Sequence, residues 1–220
     1  MRLSTFATIG ALLTCPTAIH AQSDYTSQLQ FTLALLDTAS SAETRHHVAT
    51  ALRDVSDAHP TRWEAAYWAA HEYSQVGLFN DVSIRGAFLD TAQTLYDRAW
   101  NAAVEKDNRL LAEFYVLQAN LHALRGGVLA ANRQWEEAGQ NRALRNQHLQ
   151  MTGEAYPNNP RLHVLRGIQQ LADSTTRQEG RAILERAKQL YADPLPSPIW
   201  PNWGRPWIDH WLARYDTGGQ

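Results

Sequence analysis

Cysteine is almost absent from this chain: the one cysteine is Cys15, near the start. Downstream of it no disulfide, thiolate nucleophile or cysteine zinc site can form, so a fold there must rest on its apolar core. Lysine is scarce as well, limited to Lys106 and Lys188, and arginine supplies the other positive charges. The formal net charge is only −2. A chain so close to neutral has no bulk electrostatic reason to bind nucleic acid or an acidic membrane. Long apolar runs are missing too. The N-terminal one is shorter than the roughly 20 residues that a bilayer-spanning helix needs. No stretch has a convincing strand pattern.

What is present begins with an export signal. Arg2, followed by Leu3, Phe6, Ile9, Leu12 and Leu13, has the charge and the apolar run of a signal peptide. Ile19-His20-Ala21 is an imperfect cleavage site, with Ala at −1 and Ile at −3. Removal of residues 1–21 is expected, leaving 22–220 as one helical domain in the periplasm or outside the cell. A second reading stays open, a lipoprotein anchored through Cys15, although Thr14 and Pro16 are unusual beside a lipidated cysteine.

The rest reads as eight or nine helices. The first opens at Gln28 and runs to Leu36. Ser40-x-x-Glu43 and Thr61-x-x-Glu64 look like capping boxes for the second and third. Trp63, Ala66, Tyr67 and Ala70 give the third its apolar face. Gly77 to about Gly86 reads as a loop, and a fourth helix follows from about Phe88 to Lys106. The cleanest stripe is Leu110, Phe114, Leu117, Leu121, Leu124 and Val128. Arg133 to Met151 has few apolar anchors and predicts a helix wet on one side. Tyr156-Pro157-Asn158-Asn159-Pro160 is a turn. Two more helices follow, carrying Leu162, Leu165 and Ile168, then Ile183, Ala187 and Leu190. Pro194, Pro196, Pro198 and Pro201 forbid helix. Trp207, Trp211 and Leu212 mark a last short one, so the end reads as an extended strap folded back over the open end of the last hairpin.

Helices with short connections must bury one stripe each against a neighbour, which a bundle or a stack of hairpins achieves. The small–large–small sets Ala92-Tyr96-Ala99 and Gly180-Leu184-Ala187 favour the stack. They match the second helix of a tetratricopeptide hairpin, where a small residue permits close approach. The 34-residue period is not kept. The expected fold is therefore all-α: stacked antiparallel hairpins, a tetratricopeptide-like solenoid with a Pro/Trp-rich C-terminal strap.

Trp63-Glu64-Ala65-Ala66-Tyr67-Trp68-Ala69-Ala70, Phe88-Leu89-Asp90-x-Ala92, Tyr156-Pro157-x-Asn159-Pro160-Arg161 with Gly167, and Pro201-x-Trp203-Gly204 occur in this order. Together they resemble a family of secreted tetratricopeptide-like proteins of the Bacteroidota type, over roughly residues 30 to 215. The resemblance implies export and a helical-hairpin fold, and it carries over no catalytic residue. Ser174 to Glu179 stands where the family often has a glycine-rich turn, which implies a remodelled connection. The family's small or cysteine residue near the end has no counterpart, which leaves the closing contact open.

Chemical motifs are weak. His71-Glu72-Tyr73-Ser74-Gln75 begins like the H-E-x-x-H zinc signature and lacks its second histidine. His71 is expected to be partly buried or at the surface beside Tyr67. His46-His47 point about 100° apart on a helix and cannot easily share an ion. His59, His122, His148, His163 and His210 show no ligand spacing. No paired carboxylates, G-x-S-x-G elbow or phosphate loop is present. No catalytic residue, cofactor or metal is expected. Of eight tryptophans, Trp63 and Trp100 lie on or beside apolar stripes, while Trp68 and Trp135 are candidates for exposure. Arg142 and Arg145, near Arg133, offer rigid donor forks for a carboxylate-bearing partner. The expected function is a non-enzymatic exported scaffold or protein- or peptide-binding module, with Trp68, Trp135, Arg142 and Arg145 as partner-binding residues. Two alternatives stand beside it: a carbohydrate- or small-ligand-binding protein using exposed tryptophans, and a hydrolase with a scattered carboxylate and histidine site.

Overall fold

In this computed structural model, which describes residues 16–216, the helical spacing of apolar residues becomes nine α-helices. They are α1 (Pro16–Ala34), α2 (Ala42–Ala58), α3 (Trp63–Leu78), α4 (Val82–Ala102), α5 (Asn108–Ala131), α6 (Trp135–Ala155), α7 (Pro160–Leu171), α8 (Arg177–Leu190) and α9 (Arg205–Asp216). A short 3-10 turn, Leu35–Asp37, follows α1. No strand occurs among the described residues. No helix among them is long and apolar enough to cross a membrane. The charged start of the expected signal, Cys15 and the apolar run before it lie outside the described residues, whereas α1 begins at Pro16 and passes through Ala21.

Successive helices pack most extensively as α5 with α6, α3 with α4, and α7 with α8. α3 is the central element: every residue from Glu64 to Gly77 is buried. It lies against α2, α4 and α5 and also meets the C-terminal strap. A helix buried all round must be apolar or must satisfy its polar groups internally. α3 carries Glu64, His71, Glu72, Ser74 and Gln75, so its charges come with partners. Glu64 accepts from Arg62 and from Tyr25 of α1. Glu72 accepts from Arg45 of α2 at 3.0 Å.

Several boundaries differ from the sequence reading, each for a local reason. α2 is capped by Ser41 with Thr44, in place of Ser40 with Glu43. The Thr61-x-x-Glu64 box does not form; Arg62 occupies the N-cap without a side-chain bond, and Glu64 turns to Arg62 and Tyr25. The loop expected from Gly77 to Gly86 shrinks to Phe79–Asp81, because α4 starts at Val82. Arg85, inside α4, closes the end of α3 by donating to the Gly77 and Asn80 carbonyls at 2.8 and 3.0 Å. That satisfies acceptors which glycine punctuation alone does not reveal. α5 runs on through Gly126 and Gly127, where the paired glycines suggest a kink or loosening, to Ala131. α6 buries only Ala138, Leu149 and Thr152 and is wet on its other faces, as its sequence predicts.

The strap is folded back, and it reaches farther than the last hairpin. Ile208 and Leu212 of α9 pack with Val164, Leu184 and Ala187 of α7 and α8. Ile199 and Trp203 join the main core around α3 instead. Trp68 Nε1 donates to the Ile199 carbonyl at 3.0 Å, and Trp203 Nε1 donates to Tyr67 Oη at 2.9 Å. Gly204 turns the chain into α9 with a φ of +94°, and a Cβ there would meet Tyr191 Oη at 2.8 Å. The left-handed conformation and the close approach both require glycine.

Beneath the strap lies a buried ion pair. The Arg161 guanidinium of α7 donates to the Glu113 carboxylate of α5, each side chain almost fully enclosed. Asn159, whose side chain caps α7, also donates to Glu113, at 3.0 Å, and Arg161 donates to the Pro201 carbonyl at 2.7 Å. Burial pushes the Glu113 carboxyl up, and Arg161 opposes that shift. Tyr67 donates to the Glu113 backbone carbonyl at 3.2 Å, and its burial holds the phenol well above its ordinary pKa and keeps it a donor. Motif residues from three separated stretches thus meet at one point.

Candidate functional site

Two clefts open on either side of Trp207. The first, of about 380 Å³, lies between the C-terminal end of α3, the middle of α5, and α6, α7 and α9. Its wall is mostly carbon: Leu124, Leu165 and Ile168 from α5 and α7, and Trp207 and Trp211 from α9. On α9, positions 207, 210 and 211 are three and four apart and share one side of the helix. The adjoining side, with Ile208 and Leu212, is buried. α9 therefore does two jobs at once, sealing the α7–α8 pair and presenting two half-buried indoles and His210 to the cleft. At the other wall, Leu78 and Phe79 remain exposed, Phe79 at 59%. Apolar side chains that border a concave, carbon-lined site are the usual mark of a ligand cleft.

Few polar groups line this cleft. Asn120, 4% exposed, has a side-chain nitrogen with no hydrogen-bond partner. Arg145 of α6 reaches the cleft, and its only hydrogen-bond partner among the described residues is the neutral Asn146 side chain. Burial, and Arg142 beside it, pull the Arg145 pKa below its ordinary value. A guanidinium in that setting still carries its proton. The cleft thus offers apolar walls and a cation without a counter-charge, with the enclosed, unpartnered Asn120 amide behind them.

The second cleft, of about 430 Å³, lies between α1, α2, α3 and the strap. His71 and Glu72 sit in its wall with Trp68, Trp203 and Arg45. His71 is buried, where a partly buried or surface position was expected. Its Nδ1 lies 2.9 Å from Glu72 Oε1, and Arg45 holds the other oxygen. The His71 ring stacks on Trp203 at 4.7 Å, while Nε2 is enclosed and has no partner. Trp68 is likewise buried, 3% exposed, against the expectation that it stands at the surface. The cause is the strap, which covers α3 and accepts the indole N–H.

Of the residues expected to meet a partner, Arg145 lines the first cleft and Trp68 the second. Arg142 is exposed on α6 next to Arg145. Trp135 is exposed at 68%, at the start of α6, and lines neither cleft. The structure brings Arg145 together with Trp207, Trp211, His210 and Asn120; in the sequence the strap's tryptophans carry a rival reading as a partner-docking patch, and His210 and Asn120 carry no binding reading. Trp207, His210 and Trp211 carry a signal in their spacing, since an amphipathic strap helix with histidine between two tryptophans has two faces to explain. Asn120 carries none; it lies inside an otherwise apolar stripe. No group of three or more histidine, cysteine or carboxylate side chains that could hold a metal ion occurs among the described residues.

No protein-family model matches the chain, and no curated protein matches it. A solved structure does: the HusA haemophore from Porphyromonas gingivalis, at a TM-score of 0.71 and 20% identity, covering 89% of this chain and 94% of that one. At this identity the likeness concerns the fold alone.

Proposed function

We propose that the chain is an exported, non-enzymatic binding protein whose cleft between α3, α5, α7 and α9 takes a flat apolar ligand bearing carboxylates, a tetrapyrrole of the porphyrin class. The observation that carries this reading is the cleft: two indoles and aliphatic side chains form its walls, and Arg145 stands in it without a counter-charge. Flat apolar rings are held by aromatic and aliphatic contact, and a carboxylate is the natural partner of an unpaired arginine. The resemblance in fold to a haemophore supports the same ligand class. Export is supported by the charged and apolar start of the sequence, and hairpin stacking by the pairing of α3 with α4, α5 with α6 and α7 with α8.

The test is a titration with iron-free protoporphyrin, followed by quenching of tryptophan fluorescence and by porphyrin absorbance. Saturable binding is expected. Arg145→Glu places a like charge beside the ligand's carboxylates and weakens binding by about tenfold or more, equivalent to at least about 1.4 kcal/mol. Absence of porphyrin binding, or binding indifferent to both Arg145→Glu and Trp211→Ala, overturns the reading.

A further inference from the structure

We propose that His122 of α5 and His148 of α6 form a separate cation site, a two-histidine seat for a late first-row divalent ion, Cu²⁺ above Zn²⁺. Neither histidine lines either cleft. The proposal therefore stands whether or not a tetrapyrrole binds.

The packing of α5 on α6 brings the two imidazoles together, with ring centroids 5.2 Å apart and planes 31° apart. A metal–nitrogen bond of about 2.1 Å, plus about 1.2 Å from nitrogen to ring centre, sets two imidazoles on one tetrahedral ion about 5 Å apart. Both rings are in the tautomer that ligation needs. A carbonyl oxygen only accepts, so His148 Nδ1, 2.8 Å from the Leu144 carbonyl, carries the proton. Asn141 donates its Nδ2 to the Glu137 carbonyl at 3.0 Å, which turns its Oδ1 toward His122 Nδ1, also at 3.0 Å. The His122 proton is thereby fixed on Nδ1 too. Each ring donates one N–H to an oxygen and keeps its lone pair on Nε2, the arrangement that orients a ligating histidine and raises its basicity.

Both nitrogens are within reach of an ion. The rings are half-buried, and His148 Nε2 has no hydrogen-bond partner among the described residues. His122 Nε2 accepts from Gln118 at 3.2 Å, and Gln118 keeps its reciprocal bonds with Gln93, at 3.1 and 3.3 Å, when an ion takes that lone pair. Burial, with the His148 and Arg125 charges, holds the His122 ring below its ordinary pKa against the opposing Asn141 bond, so protons compete less with the metal. Arg125 repels a cation, but Asp90 at 2.7 Å offsets its charge. No third histidine, cysteine or carboxylate joins the pair, so water fills the remaining positions and the ion is exchangeable. Imidazole suits copper and zinc, and copper binds the more strongly. The other histidines fit less well: His46 and His47 point apart on α2, and the free nitrogen of His71 is enclosed beneath the strap.

The full chain, free of any affinity tag, is titrated with Cu²⁺ and then with competing Zn²⁺, followed by calorimetry and electron paramagnetic resonance. The expected result is one Cu²⁺ per chain, with a spectrum split by two imidazole nitrogens and displaced by excess Zn²⁺. His148→Ala and His122→Gln, on different helices, each weaken Cu²⁺ binding by about tenfold or more and leave one nitrogen in the spectrum. Asn141→Ala keeps both ligands, removes the acceptor that orients His122, and weakens binding by about tenfold. Zn²⁺ raises the melting temperature of the unaltered protein and leaves that of His148→Ala unchanged, which ring packing alone does not explain. Circular dichroism of the metal-free variants shows which of them keep the fold, and one folded variant suffices for the test. Absence of stoichiometric Cu²⁺ overturns the assignment, as does a two-nitrogen spectrum that survives in a folded variant of the pair. Binding lost in His46→Ala or His47→Ala and kept in His148→Ala overturns it as well.

Discussion

At the scale of single residues, the polar groups of this protein are placed by what surrounds them. His122 of α5 shows this most simply. Its Nδ1 donates to Asn141 of α6 at 3.0 Å, and Gln118 lies 3.2 Å from Nε2. Both contacts suit the neutral ring. Burial lowers the pKa of His122, and the charges of His148 and Arg125 add to that shift while the Asn141 bond opposes it. The folded state therefore resists a proton that the unfolded chain takes up near pH 6.5. Stability should be level above that pH and should fall as pH drops through it toward the lower, folded-state pKa. Urea midpoints measured between pH 8 and pH 5 check this. His122→Gln should flatten part of the decline, and a midpoint that rises on acidification would contradict the assignment.

At the scale of helices, close approach is set by small residues. Ala92 and Ala99 of α4 are fully enclosed, as the small–large–small spacing predicts. The tightest crossing is between α7 and α8. A Cβ on Gly180 would sit 2.7 Å from the Leu171 backbone nitrogen and 2.9 Å from the Gly167 carbonyl oxygen. Backbone cannot yield as a flexible side-chain end can. Gly180→Ala should therefore cost about 1–3 kcal/mol by overpacking, although alanine in a helix is otherwise better than glycine by about 1 kcal/mol. Gly139, in exposed α6, has nothing within 4 Å of its Cβ position. Gly139→Ala should stabilise by about 0.5–1 kcal/mol. Chemical denaturation of the two variants separates packing from propensity, and a common sign for both would refute the crossing.

At the scale of the whole molecule, the C-terminal strap links parts that are far apart in sequence. It connects α3 through Trp68 and Tyr67, α7 through Arg161, and α8 through Tyr191, whose hydroxyl donates to the Trp203 carbonyl. Removing residues 194–220 exposes the side of α3 that Ile199 and Trp203 cover and strips Arg161 of its Pro201 acceptor. Loss of one buried tryptophan alone costs about 3–5 kcal/mol, a large share of a typical domain's stability. The truncated chain should melt at a much lower temperature and should associate, as read by thermal unfolding and size-exclusion chromatography. An unchanged melting temperature in a monomer would show that the strap is not structural. The same truncation removes Trp207, His210 and Trp211, so the wall of the first cleft and the lock on the core are one segment.

The sequence by itself determined the helical class, because apolar residues three and four apart can be buried only on helices. It determined the wet side of α6, where anchors are few, and the strap, where prolines exclude helix and tryptophans demand cover. Asn159-Pro160 set the start of α7, since an N-cap side chain and a proline at the first position need only local geometry. Only the tertiary structure decided which polar residues are inside. His71 and Glu72 look like a broken zinc motif in the sequence, and they are buried because the strap closes over α3 and Arg45 arrives from α2. Trp68 is covered for the same reason. The α3–α4 connection was illegible because its partner groups come from Arg85, beyond the turn. The first cleft assembles side chains from α3, α5, α6, α7 and α9, a convergence that helical periodicity cannot express: it fixes a residue's side of its own helix and leaves open which other helices face it.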